Sequence, residues 1–574
     1  MPLFRVHTLV SILAMSTMLA SARSQPQPPD QPPDFGPNVL IMDASMKDIQ
    51  SRLDAIFKEQ EKAQFGAGRH AILFKPGKYD ADVRVGFYTQ VLGLGRLPDD
   101  VTITGAVRST AEWMKGNATC NFWRGVENLS VTPRDPSKPN VWAVSQGTAL
   151  RRVHIRGDLH LWDQGWSSGG FLADSAIDGT ITSGSQQQWM SRNSDWGAWQ
   201  GGNWNMVFVG VTNPPSGAWP DEPYTVIDQT PIIREKPFLF VDDAGKYNVM
   251  VPELLTSGSR GTSWSGTPSP GEAIGIERFF IARAGRDTAE SINAALEAGK
   301  HLILTPGVYH LDGSLRVTKP DTIVLGLGYP TLVPDRGTPA ITLADVDGVK
   351  VCGLILDAGA APSRVLMQVG EKESKSTHAG NPVLLYDLCA RAGGSAPGSV
   401  ETFLEINSAN VIGDNVWLWR ADHGAGAAWD KNPNEHGLVV RGADVTFYGL
   451  FVEHTRKHQT LWNGERGRVY FYQSEMPYDP PSQKEWSHDG VRGYSSYKVA
   501  DGVKMHEAWG LGVYCVFRAA PVVADSAIEA PDSRGVRLHH VIAVRLDGLP
   551  ESGISHVLND KGAPVITTMT SKLD

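Results

Sequence analysis

Cysteine is scarce: Cys120, Cys352, Cys389 and Cys515 are the only four in 574 residues, far apart and never spaced as C-x-x-C. That excludes a small disulfide-knit scaffold and a cysteine-rich zinc module. The four read either as disulfide partners outside the cell or as thiols buried in a large core. Charge is also sparse, at 20% of residues, and 53 basic against 62 acidic side chains leave a net −9. A basic surface for nucleic acid is therefore not expected. No stretch reaches the ~18–20 apolar residues of a membrane span. Asn-Gly turns are scarce, which argues against an array of hairpins. What is plentiful is glycine (60), with 37 prolines and 17 tryptophans, a composition suited to a turn-rich β protein.

Residues 1–22 combine Arg5, the short apolar run Leu9–Leu19 and the small-residue site Ala20-Ser21-Ala22. This is the pattern of a secretory signal peptide, too short to anchor in a bilayer. Secretion, extracellular or periplasmic, is the expectation. Residues 23–37 read as a Pro-rich linker. Asn117 and Asn128 open glycosylation sequons that matter only in a eukaryotic host.

A repeat organises the rest. An amphipathic helix over Ser45–Phe57, then His70–Tyr79 with Lys-Pro-Gly-Lys-Tyr, then Val-Leu-Gly-Leu-Gly at 91–95 recurs as Asp287–Ala298, His301–Tyr309 and Val324–Gly328. The Pro-Gly pairs lie 230 residues apart and the LGLG segments 233. Three landmarks in one order indicate a duplicated domain. Short alternating runs such as Arg152–Trp162, Val445–Val452 and Arg468–Gln473 then recur every 20–30 residues. Strands this short, without intervening helices, predict coils of a parallel β-helix. The fold expected is all-β, two tandem right-handed parallel β-helices with short capping helices. Its domains span 38–255 and 272–574, joined by a Gly/Ser/Pro-rich connector at 256–271.

The chemistry-bearing stretch runs from Val416-Trp-Leu-Trp-Arg-Ala-Asp-His423 through Phe451-Val-Glu-His454 to Ser474-Glu-Met-Pro-Tyr-Asp479. Glu453 and Glu475 are 22 residues apart, about one coil, so they can project side by side into one groove. Two carboxyls held close supply a protonated acid beside an ionised partner, the requirement for cleaving a glycosidic bond. Trp417, Trp419, Trp462 and Tyr478 offer faces for sugar rings. Glu465 is a reserve acid or base, with an ion pair to Arg466 or Arg468 as its simpler reading. His454 and His458, four apart, lack a third ligand, and neither a metal nor a cofactor is expected.

This series resembles glycoside hydrolase family 55, the exo-β-1,3-glucanases, whose pattern runs WLW-x-ADH, then S/T-EH, then Q-x-ETPYYQP. The resemblance implies a two-β-helix ribcage and inverting release of glucose from chain ends. It implies Glu475 as general acid and Glu453 as the carboxylate near the attacking water. Asp422, His423 and His454 would bind substrate. Gln186 and Gln188, from Ser183-Gly-Ser-Gln-Gln-Gln-Trp189, would position the water. Met476 and Asp479 depart from the pattern, and Gly210 falls where a water-sharing serine is sought. Adjacent rungs are ~4.8 Å apart, whereas inverting carboxyls need ~6.5–9.5 Å, so inversion requires the two side chains to splay or a water network from the other domain. The expected partner is a neutral polysaccharide, met by a monomer. A polysaccharide lyase, a hydrolase of another sugar on the same fold, and a non-catalytic carbohydrate-binding protein are the competing readings.

Overall fold

The computed structural model describes residues 33–265 and 270–574. The expected signal peptide, most of the Pro-rich linker and four residues of the connector lie outside them. Two helices open the two halves. The first, α1 (Ile49–Gln60), buries Leu53, Ile56 and Phe57. The second, α2 (Ala289–Glu297), buries Ile292 and Leu296 and starts on a capping box of Thr288 with Ser291. The cap is thus one residue inside the Asp287–Ala298 span read from the sequence. Asp287 instead accepts the Arg283 amide at 2.8 Å.

Each half then winds as a parallel β-helix. In the first, strands at 39–42, 70–74, 89–93 and 124–132 pair in sequence order. They continue into β1 (Ala149–Ile155), β2 (Phe171–Ala173), β3 (Gln188–Arg192) and β4 (Asn205–Val209). In the second, the equivalent sheet includes β5 (Val383–Ala392), β6 (Val411–Arg420), β7 (Thr446–Glu453), β8 (Gly467–Glu475) and β9 (His506–Phe517). Between them, 238–241, 247–252 and 271–275 form an antiparallel three-stranded sheet. The connector folds back on the first helix, where the Trp264 indole donates to the Asp174 carbonyl at 2.7 Å.

Alternation explains why these strands are apolar on both faces. Val416, Leu418, Leu450 and Val452 point into the second coil's interior core. Their neighbours Trp417, Trp419, Tyr448 and Phe451 point the other way, into a core shared with Trp123 and Phe171 of the first domain. The interface also buries charge, which requires pairing. Arg151 reaches Asp387 and Asp414 at 2.8 and 2.7 Å, and Arg192 reaches Glu235 and Asp414 at 2.6 and 3.0 Å. The coils bend at a repeated left-handed position: Asn128, Arg152, Asp174, Asn193 and Gly210 in the first domain, and Asn415, Gly449, Phe471 and Gly510 in the second. Gly210, at φ 62°, is therefore a corner and not a water site. All four cysteines are free thiols.

Candidate active site

Beyond their corners, β7 and β8 end on the two glutamates, and the ladder pairs Glu453 directly with Glu475. Both side chains leave the sheet on the face turned to the first domain. There a cavity of about 260 Å³ opens between the two helices. The first domain lines it with Thr119, Cys120, Phe122, Gln146, Ser168 and Gln187. The second contributes Trp419, Asp422, His423, Glu453, His454, Glu475, Tyr478, Arg518 and Leu546.

The two carboxyls have unlike partners. Glu453 Oε1 accepts from Gln146 Nε2 and Gln473 Nε2, both at 2.8 Å, and Oε2 accepts from Trp417 Nε1 at 2.7 Å. Glu475 accepts one side-chain bond, from the Tyr478 hydroxyl. Burial pushes both carboxyls above the ordinary range, and the Glu475 charge adds to the rise at Glu453. At Glu475 the charge of His454 and the Tyr478 hydroxyl oppose that rise. Two such groups share a proton rather than ionise together. Three N–H donors favour the charged form of Glu453, so the proton resides on Glu475. The partners come from different places: Glu453 is bonded by Gln146 of the first domain, and Glu475 by Tyr478 of its own turn.

Asp422 and His423 form an ion pair at 2.9 Å on the cavity wall. Despite burial, the bond to His423 lowers Asp422 to about 2. His423 rises to about 10 against its own desolvation, through Asp422 and the neighbouring Cys120 thiol. Gln64 reaches His423 Nε2 at 2.7 Å from behind the cavity. Beside it, Phe65 stacks parallel to Trp419 with ring centroids 6.3 Å apart.

Several expected roles need correction. Trp417 is packed among Phe122, Trp123 and Trp419, and its indole serves Glu453 rather than a sugar. Trp462 is fully buried inside the second coil against Phe447 and Tyr497, because its strand belongs to the sheet on another face. The Glu465 carboxylate accepts the amides of Lys504 and Met505 at 3.1–3.2 Å, while Arg466 pairs with Asp444. Gln186 binds the Gly169 amide and the Val144 and Leu161 carbonyls. Gln188 donates to the Ser168 carbonyl. Both are consumed in holding coils together, and it is Gln187, facing the other way, that reaches the cavity. The first-domain groups beside Glu453 are Gln146 and Ser168, whose hydroxyl donates to Ser145 Oγ at 2.9 Å. Nothing in the sequence singled out these two. Gln473 was findable, since it sits two residues before Glu475 and shares its face. Met476 is buried in the second coil's core, so that departure lies away from the chemistry.

Comparison with known proteins agrees with this geometry. The LAM55 pectate lyase-like domain matches residues 279–475. An exo-beta-1,3-glucanase of Streptomyces sp. (strain SirexAA-E / ActE) is 45% identical over 547 residues, spanning 94% of this chain and 89% of that protein. The structure of sacteLam55A from Streptomyces sp. SirexAA-E superposes with a TM-score of 0.91 at 44% identity, covering 94% of this chain and 98% of that one. A glutamate-to-alanine variant of sacteLam55A in complex with glucose aligns with the same TM-score of 0.91 and 44% identity, over 96% of this chain and 99% of that one. A paired-carboxylate cleft between two β-helices and this extent of identity together lead to one assignment: the chain belongs to glycoside hydrolase family 55, the LAM55 family.

Proposed function

We propose that the protein is a secreted exo-β-1,3-glucanase that cleaves glucose from chain ends with inversion at the anomeric carbon. The observation that carries this reading is the unlike pair of carboxyls, Glu453 held by three N–H donors and Glu475 bonded by one hydroxyl, in a cavity walled by both domains. Glu475 delivers its proton to the glycosidic oxygen as the C1–O bond breaks. Water held by Ser168 and Gln146 attacks C1 from the opposite face, and Glu453 takes up the proton that this water sheds. The Asp422–His423 pair binds hydroxyls of the terminal sugar. Trp419, beside it, gives that sugar an apolar wall. One chain supplies both walls, so a monomer suffices. The near-neutral balance of charge in the cavity suits an uncharged glucan.

Incubation with laminarin, followed by proton NMR of the first product, tests the whole reading. Glucose appearing first as the α-anomer supports it. Initial release of the β-anomer overturns inversion, and silence toward β-1,3-glucan with cleavage of another polysaccharide overturns the substrate. N-terminal sequencing of the mature protein from its native host should begin after Ala22 if residues 1–22 are a cleaved signal.

A further inference from the structure

Asp479 stands where the family pattern has tyrosine, and Arg420 occupies that pattern's open position in WLW-x-ADH. In space the two are partners. Arg420 ends β6 with 1% of its surface exposed. Its Nη1 and Nη2 donate to the two Asp479 carboxylate oxygens at 2.9 and 2.8 Å, a bidentate fork. The same guanidinium donates to the His454 carbonyl at 3.2 Å and, through Nε, to the Asn432 carbonyl at 3.1 Å. Asn432 in turn ties down the Ala392 and Ala421 carbonyls. Arg420 therefore clamps the turn that leaves Glu453 to the turn that leaves Glu475.

The second turn bears directly on the acid. Tyr478, next to Asp479, places its hydroxyl on the Glu475 carboxyl. Beyond the last ladder pair, backbone pairing no longer dictates where that hydroxyl lies. Other ties on this turn are the Met476 amide donating to the Tyr514 carbonyl (2.8 Å), His454 Nδ1 at the Met476 carbonyl (3.1 Å) and the Arg518 amide donating to the Tyr478 carbonyl (2.8 Å). The Tyr478 ring itself meets the Arg518 guanidinium 4.6 Å from its centroid and the His454 ring at 4.4 Å. The Arg420–Asp479 fork is the ion pair among these ties, and it fixes the backbone next to Tyr478.

We propose that Arg420 and Asp479 are positioning residues for the reaction: their ion pair holds the Tyr478 hydroxyl on Glu475 and keeps the acid-bearing turn in register with Glu453. The inference rests on the reading of Glu475 as the general acid. A displaced acid weakens protonation of the leaving oxygen while leaving the sugar pocket intact. The cost therefore falls on kcat, and only for leaving groups that need a proton.

The test compares laminaritriose with 2,4-dinitrophenyl β-glucoside, whose leaving group departs without protonation. For Asp479→Asn, kcat on laminaritriose should fall about 10- to 100-fold, the scale of a misplacement of ~1 Å, with KM little changed. On the activated glucoside kcat should stay within about twofold. Tyr478→Phe, which leaves the ion pair intact, should reproduce that split and serves if the Asp479 variant folds poorly. Glu475→Gln should show it in extreme form. If Glu475→Gln loses both substrates equally, the assignment of the acid is wrong. If Glu475→Gln shows the split but Asp479→Asn and Tyr478→Phe lower both rates alike, or neither, the positioning role is overturned.

Discussion

The two β-helices open with the same landmarks, yet they bring different chemistry to the cleft. The first presents neutral hydrogen-bonding groups, Gln146, Ser168 and Gln187. The second presents the titrating ones, Glu453, Glu475, Asp422 and His423. Carboxylates on both faces of so buried a cleft would add like charges where water cannot screen them. Amides and hydroxyls on one side satisfy the acids on the other without adding charge. Away from the cleft the arrangement differs: there the first domain supplies Arg151 and Arg192, and the second answers with Asp387 and Asp414. Charge crosses the interface where it binds the domains together, and is kept to one side where the chemistry occurs.

That comparison can be broken from either side. The largest effect is expected at the acid itself. Glu475→Gln should lower glucose release from laminaritriose by about 100-fold or more in kcat, read from initial rates. On the binding side of the contrast, Asp414→Ala leaves Arg151 and Arg192 short of a buried partner. It should cost about 3–5 kcal/mol, measured by urea unfolding, and a shift below 1 kcal/mol would remove the pair from the account of how the domains hold together.

Smaller effects sharpen the division of labour. Gln146→Ala should lower kcat about 10- to 100-fold by loosening Glu453 and its water. Gln186→Ala should instead leave kcat within about twofold and cost about 1–3 kcal/mol of stability for its lost buried hydrogen bonds. Equal kinetic losses from the two glutamines would contradict their separate placement. The pH dependence follows from the carboxyl pair. Burial holds Glu453 above its ordinary pKa, and with the proton on Glu475 it ionises beside a neutral group that Gln matches in charge. On 2,4-dinitrophenyl β-glucoside, which needs no acid, the acid limb of kcat should therefore stay in place in Glu475→Gln. A limb moved to lower pH would show that Glu475 is already ionised when Glu453 titrates, and that the shared proton resides on Glu453.

The parts of this protein that were legible in the sequence are those encoded by local order. Pro-Gly at 76–77 and 306–307 and the two LGLG segments mark coil turns, and turn chemistry is set by neighbours in the chain. The 22-residue gap between Glu453 and Glu475 placed them on adjacent rungs because a coil has a nearly constant length, and the ladder pairs them directly. Alternation within a strand failed only where the face was unknown. Gln186 and Gln188 do share a buried environment, but Gln187 has the face that meets the cleft. Trp462 belongs to a sheet whose inner side is core, and a tryptophan's composition alone does not reveal which sheet it joins.

Periodicity along one chain was enough to read off the duplication, the β-helical winding and the pair of carboxylates. Which first-domain groups meet those carboxylates, and that Asp479 answers Arg420, became visible only in the folded molecule. Gln146 lies 307 residues from Glu453 and Arg420 lies 59 from Asp479. The first contact arises from how the two coiled faces dock, and the second from how turns two rungs apart fold onto each other, neither of which is encoded by spacing along a strand.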